Sequence, residues 1–168
     1  VYSEIVPFRV PVAEIARRAP MALILSGGPD SVYEAGAPIV ERALFELRVP
    51  MLGICYGMML MSHLLGGKVT RGERREYGPA SLDLVRDSFL GGAGQVHRVW
   101  MSHGDRIEAV PPGFEVVGTS GNAPCAAAWD RSRKLLGVQF HPEVAHTDHG
   151  MEYLRRFLYD VAGARGDW

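Results

Sequence analysis

Three short segments of this chain carry residue types able to perform acyl transfer. In Gly53-Ile54-Cys55-Tyr56-Gly57 a cysteine stands between two glycines, after the apolar run Val49-Pro50-Met51-Leu52 and before Met58-Met59-Leu60-Met61. This is a G-x-nucleophile-x-G elbow with sulfur in place of a serine oxygen. The turn strains the nucleophile's backbone, the glycines let neighbouring backbone pass close, and a helix N-terminus favours a thiolate. A lone cysteine is equally readable as a small core residue, so the remaining segments decide. In Gly137-Val138-Gln139-Phe140-His141-Pro142-Glu143, His141 ends a strand-like run that Pro142 stops. Glu143 follows two residues on, the same side of an extended backbone, where its carboxylate can fix one imidazole tautomer while the other nitrogen faces a thiol. By itself that triplet also reads as a surface histidine beside a solvated glutamate. The third segment, Leu25-Ser26-Gly27-Gly28-Pro29, ends the run Met21–Leu25 in bare backbone N–H groups. Such groups could form half of an oxyanion hole, with the N–H of Tyr56, the residue after the cysteine, as the other half. Taken alone, Gly-Gly-Pro is an ordinary turn.

The elements that must position these groups read as an α/β domain. Strand-like runs at Tyr2–Pro7 and Met21–Leu25 flank a helical stretch near Val12–Arg18, and Ala37–Leu47 has helical spacing ahead of the strand before Cys55. Parallel strands joined by crossover helices are the natural reading of that alternation. Later the chain becomes strand-rich, with runs at Gly67–Thr70, Ala80–Val85, Arg98–Ser102, Glu115–Ser120 and Ala126–Trp129, of mixed direction. Gly91-Gly92-Ala93-Gly94 reads as a loop, Glu73-Arg74-Arg75-Glu76 as a solvated charged turn, and Met151–Val161 as a closing amphipathic helix. No repeat, low-complexity tract or internal domain boundary is visible.

Together the three segments resemble the class I (triad-type) glutamine amidotransferases, over nearly the whole chain from Val1 to about Gly163. Trp100-Met101-Ser102-His103-Gly104-Asp105, Glu76-Tyr77-Gly78 and His146-Thr147 with Gly150 resemble the GMP synthase branch of that family. The resemblance implies a flavodoxin-like, open, mixed but mostly parallel sheet with helices on both faces. It implies that Cys55 attacks the side-chain amide of L-glutamine, that His141 moves the protons, that Glu143 orients His141, and that the backbone of Gly28 and Tyr56 forms the oxyanion hole. It further implies that backbone at Ser102, Gly104 and Asp105 binds the α-amino and carboxylate groups of glutamine. In that branch the ammonia passes to an ATP-pyrophosphatase (synthetase) domain, fused or separate, which adenylates XMP so that amination gives GMP, a ligase step of purine biosynthesis. ATP and Mg2+ are expected only at that other domain, because no S-G-G-x-D-S loop is present. Ser26-Gly27-Gly28-Pro29-Asp30-Ser31 is near it in letters but has proline inside the loop.

Two departures from the family pattern carry expectations. Met59 stands where the family usually has a glutamine that helps hold the substrate, one helical turn past Cys55. A thioether donates no hydrogen bond, so weakened glutamine binding with intact chemistry is expected; a pocket that tolerates methionine as a flexible filler is the alternative. The family's first buried strand and helix have no counterpart before Val1. An N-terminally incomplete domain over 1–163 is therefore expected, with 164–168 the start of a linker and two strand edges left open.

Composition bounds the rest. The 168 residues, 47% hydrophobic, suffice for one substantial core. A formal net charge of −1 gives no basic footprint for nucleic acid, and the apolar runs are too short to span a membrane. Cys55 and Cys125 suggest no disulfide framework, as expected for a cytoplasmic protein. His97, His103, His146 and His149 match no metal-ligand spacing, and no metal site is expected. Two other functional readings stay open: a γ-glutamyl peptidase-like cysteine hydrolase, and a regulatory module whose glutamine site Met59 impairs.

Overall fold

In the computed structural model, residues 1–166 are described, those at Glu73 and Arg74 by backbone alone. Seven strands form one sheet: β1 (Leu23–Leu25), β2 (Met51–Ile54), β3 (Lys68–Leu84), β4 (Val96–Ala109), β5 (Glu115–Thr119), β6 (Ala127–Asp130) and β7 (Leu135–Val138), in the order β1-β2-β7-β6-β5-β3-β4. The helices are α1 (Val12–Arg17), α2 (Tyr56–Leu64) and α3 (Gly150–Arg156), which runs on into a π-helical segment Phe157–Val161.

The central strands β2 and β7 are buried at every residue, as parallel strands covered on both faces must be. Alternation along them sorts the two faces. Leu52, Ile54, Leu136 and Val138 pack with Tyr153 and Phe157 of the C-terminal helix, whereas Met51 and Leu135 pack with Met61 of α2. Helices therefore cover both faces, as expected. Gly53 and Gly137 are directly paired, and each lets α2 lie close: a Cβ at Gly137 would stand 2.5 Å from Met58 Cγ.

The sheet is mixed, with a smaller parallel share than expected. Only β1–β2 and β2–β7 are parallel, and β7–β6, β6–β5, β5–β3 and β3–β4 are antiparallel. The second half of the chain returns by turns instead of crossover helices, and adjacent strands joined that way must run antiparallel. β4, last in the order, curls back onto the segment after β7: the N–H groups of His141 and Asp148 donate to the carbonyls of Trp100 and Arg98, at 3.0 and 2.9 Å.

Several local expectations change. Gly67–Thr70 and Ala80–Val85 are one strand, β3, and the charged segment between them is a bulge in it: Arg71 pairs with Asp105 and Glu76 with His103. Tyr2–Pro7 forms no strand; its residues are largely exposed and its backbone joins no ladder. Ala37–Leu47 yields only a 3₁₀ turn, Arg42–Glu46. β1 pairs with β2 alone, which leaves Ile24 46% exposed on an open edge. The expected linker 164–168 falls partly outside the described residues, since Asp167 and Trp168 are not among them.

Candidate active site

Cys55 and His141 meet because β2 and β7 are adjacent and parallel, so their C-terminal ends lie side by side. Ile54 pairs with Val138, and the Cys55 N–H donates to the Val138 carbonyl at 2.8 Å. That bond anchors the elbow. Cys55 itself has φ 51° and ψ −107°, a conformation an L-residue rarely holds and which costs about 1–3 kcal/mol. The flanking glycines make it possible. A Cβ at Gly53 would lie 2.7 Å from the Gly57 carbonyl and the Met58 nitrogen, and one at Gly57 would overlap the Leu25 carbonyl.

The sulfur is buried, and burial pushes its pKa up to about 11, against the pull of the Tyr56 N–H and the Gln139 amide. This corrects the expectation of a thiolate: the helix N-terminus is present, but desolvation outweighs it, and the resting group is a thiol. The thiol donates to the Ser102 carbonyl on β4 at 3.6 Å and makes no hydrogen bond to His141.

His141 Nδ1 lies 2.7 Å from Glu143 Oε1. A carboxylate accepts, so Nδ1 donates to Glu143, and the other ring nitrogen, Nε2, makes no bond to it. Backbone bonds fix the ring's position. Thr147 Oγ1 donates to the His141 carbonyl at 2.6 Å and accepts from the Trp100 N–H at 3.0 Å, tying the loop to β4. Gly27 leaves room for the imidazole, since a Cβ there would come within 3.0 Å of His141 Cε1, and a Cβ at Gly28 would stand 3.5 Å from the Tyr56 ring.

These groups open on one cavity of about 840 Å³, lined by Gly28, Cys55, Tyr56, Met59, Ser102, Gly104, Asp105 and His141 among others. Glu143 stands behind His141 and does not line it. Every other site residue expected from the sequence does. Its polar wall includes groups that no local spacing signals. The Tyr33 hydroxyl donates to Asp105 Oδ1 at 2.7 Å, from 72 residues away in the chain. His103 Nδ1 donates to the Asp105 carbonyl at 2.7 Å, its Nε2 lies 3.1 Å from Glu76 Oε2, and Glu76 also accepts from Ser120. This buried network stiffens the Ser102–Asp105 backbone. Gln139 reads in sequence only as part of a strand, yet its amide reaches the Cys55 sulfur. Of the other histidines, His97 and His149 stand by Tyr153 and His146 lies tilted against Trp100, away from this cluster. Cys125 is buried elsewhere in the core, its thiol pushed up to about 12 by burial. No helix among the described residues is long and apolar enough to cross a membrane.

A buried thiol on a strained elbow and an imidazole held in one tautomer, both opening on one cavity, can attack an amide and hydrolyse the acyl-enzyme. Comparisons with known proteins agree. The family model described as glutamine amidotransferase class-I matches residues 1–161. Curated relatives include the glutamine-hydrolysing GMP synthases of Nocardia farcinica, 50% identical over 168 residues, and Thermobifida fusca, 52% identical over 169. Each alignment covers all of this chain and 32% of the relative, so the chain spans about a third of their length. Among solved structures, a Thermoplasma acidophilum protein assigned as one subunit of a GMP synthase superposes with TM-score 0.83 at 26% identity, over 95% of this chain and 80% of that one. A Thermotoga maritima glutamine amidotransferase follows at TM-score 0.68 and 28% identity, covering 90% and 65%.

Proposed function

The chain belongs to the class-I glutamine amidotransferase family, and we propose that it is the glutamine-hydrolysing part of a GMP synthase. Half of its residues are identical to those of curated GMP synthases along its full length, which supports that branch over any other peptidase or hydrolase chemistry on the fold. The single observation that carries the activity is the convergence of Cys55 and His141, the latter held by Glu143, on one cavity from neighbouring strand ends.

The reaction begins with L-glutamine seated against the Ser102–Asp105 backbone and Met59. Cys55 gives up its hold on the Ser102 carbonyl and passes its proton to His141 Nε2, and the sulfur attacks the side-chain amide carbon. The N–H groups of Gly28 and Tyr56 meet the oxyanion, His141 returns the proton to the nitrogen, and ammonia leaves. Water, activated by the same imidazole, cleaves the thioester to glutamate and regenerates the thiol. Because the resting thiol's pKa is near 11, proton removal cannot be left to solvent at neutral pH; the base is required. The ammonia is consumed at a synthetase domain, where ATP and Mg2+ act on XMP, in the cytoplasm.

Glutamate release from L-glutamine, by this chain and by Cys55→Ala, tests the reading. The parent should release glutamate and Cys55→Ala should not. Release that persists without the sulfur would overturn the mechanism.

A further inference from the structure

Gln139 sits between the end of β7 and His141, is fully buried, and has no part in the reaction as written above. Its backbone N–H donates to the Ala126 carbonyl at 2.8 Å, and its side chain reaches the elbow that follows β2. There its amide nitrogen lies 3.8 Å from the Cys55 sulfur, while Oε1 has no hydrogen-bond partner. A buried amide with its oxygen unmet is destabilising, and an aliphatic side chain of similar volume would fill the space without that loss. The amide's orientation follows from the sulfur's other contact. The Ser102 carbonyl already accepts the thiol proton, so the sulfur is left with lone pairs that only the NH2 end of Gln139 can meet.

We propose that Gln139 is a positioning residue for the nucleophile: its amide N–H donates to the Cys55 sulfur and holds the thiolate that forms when the proton leaves for His141. The two contacts respond oppositely to ionisation. The Ser102 bond is lost with the proton, whereas the Gln139 bond becomes charge-assisted and strengthens. The Tyr56 N–H acts in the same direction, and the Glu143 charge opposes it. The other groups facing the sulfur are the His141 imidazole beyond β7 and the uncharged Ser102 carbonyl on β4.

The test compares the parent chain with Gln139→Met and Gln139→Glu, both close to the original volume. Alkylation of Cys55 by iodoacetamide is followed from pH 6 to 11 by mass mapping of its peptide, with circular dichroism to verify folding. Both variants should alkylate roughly tenfold more slowly than the parent at every pH of the rising limb from about 6 to 10, the signature of a thiol pKa about one unit higher. The kcat for glutamate release should fall in parallel, with KM within about twofold of the parent. Gln139→Met or Gln139→Glu protein that is folded and alkylates with the parent's pH profile would overturn the proposal, even if activity drops, because Gln139 would then act through packing alone. The inference rests on the glutaminase reading only for its kcat arm. A shifted alkylation profile in a chain that releases no glutamate would uphold Gln139's role and count against the glutaminase instead.

Discussion

Gly57→Ala should damage both the fold and the site, although alanine is the better helix former. The new methyl carbon would overlap the Leu25 carbonyl oxygen and stand 2.6 Å from the carbonyl carbon and 2.7 Å from Leu25 Cβ. Ordinary carbon contacts lie at about 3.5–4.0 Å, so α2 and β1 must part by about 1 Å. Overpacking of this kind costs about 1–3 kcal/mol, and alanine's helix propensity recovers at most about 1 kcal/mol. With the methyl 2.0 Å from a backbone oxygen the cost lies at the upper end of that range, about 3 kcal/mol, so the clash wins by about 2 kcal/mol. With a urea slope of about 2 kcal/mol per molar, the unfolding midpoint should fall by about 1 M. The same displacement moves Cys55, two residues away, off line with His141, and a 1 Å misplacement is worth about a hundredfold in kcat. Gly121→Ala is the control, since nothing lies within 4 Å of its Cβ position and its φ is ordinary. Urea unfolding followed by tryptophan fluorescence, with glutamate release on the same samples, reads both effects. Should Gly57→Ala unfold at or above the parent midpoint and retain the parent kcat, the account of the elbow would be refuted.

Alkaline pH should destabilise the protein through its two thiols. Both have pKa values raised by burial, from 9.0 to about 11 for Cys55 and to about 12 for Cys125, so between pH 9 and those values the folded state binds more protons than the unfolded one. Their stabilisation is complete below pH 9 and is lost as pH rises through 11 to 12, about 3 kcal/mol for Cys55 alone; pH-dependent unfolding should therefore flatten in Cys55→Ala/Cys125→Ala, and an unchanged slope would refute the assignment. Met59 is buried on the cavity wall, so Met59→Gln should lower KM for glutamine about tenfold, within the 1–3 kcal/mol of one restored buried hydrogen bond, at unchanged kcat. An unaltered KM would mean that methionine fills the pocket without loss.

The site is legible in the sequence where its requirements are local. Glycines at 53 and 57 around Cys55 state a close approach by their absence of side chains, and the two-residue step from His141 to Glu143 states a shared side of the backbone. What escapes depends on distance in the chain. Tyr33 reaches Asp105, and Glu76 reaches His103 and Ser120, only after β3, β4 and β5 have paired. Gln139 looks like one more residue of a strand because its partner is 84 positions earlier. The protonation state of Cys55 differs from expectation for a related reason. A helix N-terminus can be read from sequence, but the desolvation that outweighs it comes from packing around the sulfur. In the fold, the charged run Glu73–Glu76 reads as a turn between two strands, yet β3 continues through that segment against β4. Tyr2–Pro7 has a strand's pattern, and pattern alone forms no ladder without a neighbour to bond.

Cys55 kept as a thiol beneath the Ser102 carbonyl is also slow to oxidise. Peroxide and disulfides react with the thiolate, and the ladder from sulfenic to sulfonic acid begins there. On the proposed reaction path the thiolate forms when His141 takes the proton, with glutamine already against the sulfur. On that path the substrate would shield the nucleophile in its oxidisable state, and the resting thiol, with its pKa pushed up to about 11 by burial, would react slowly with oxidant.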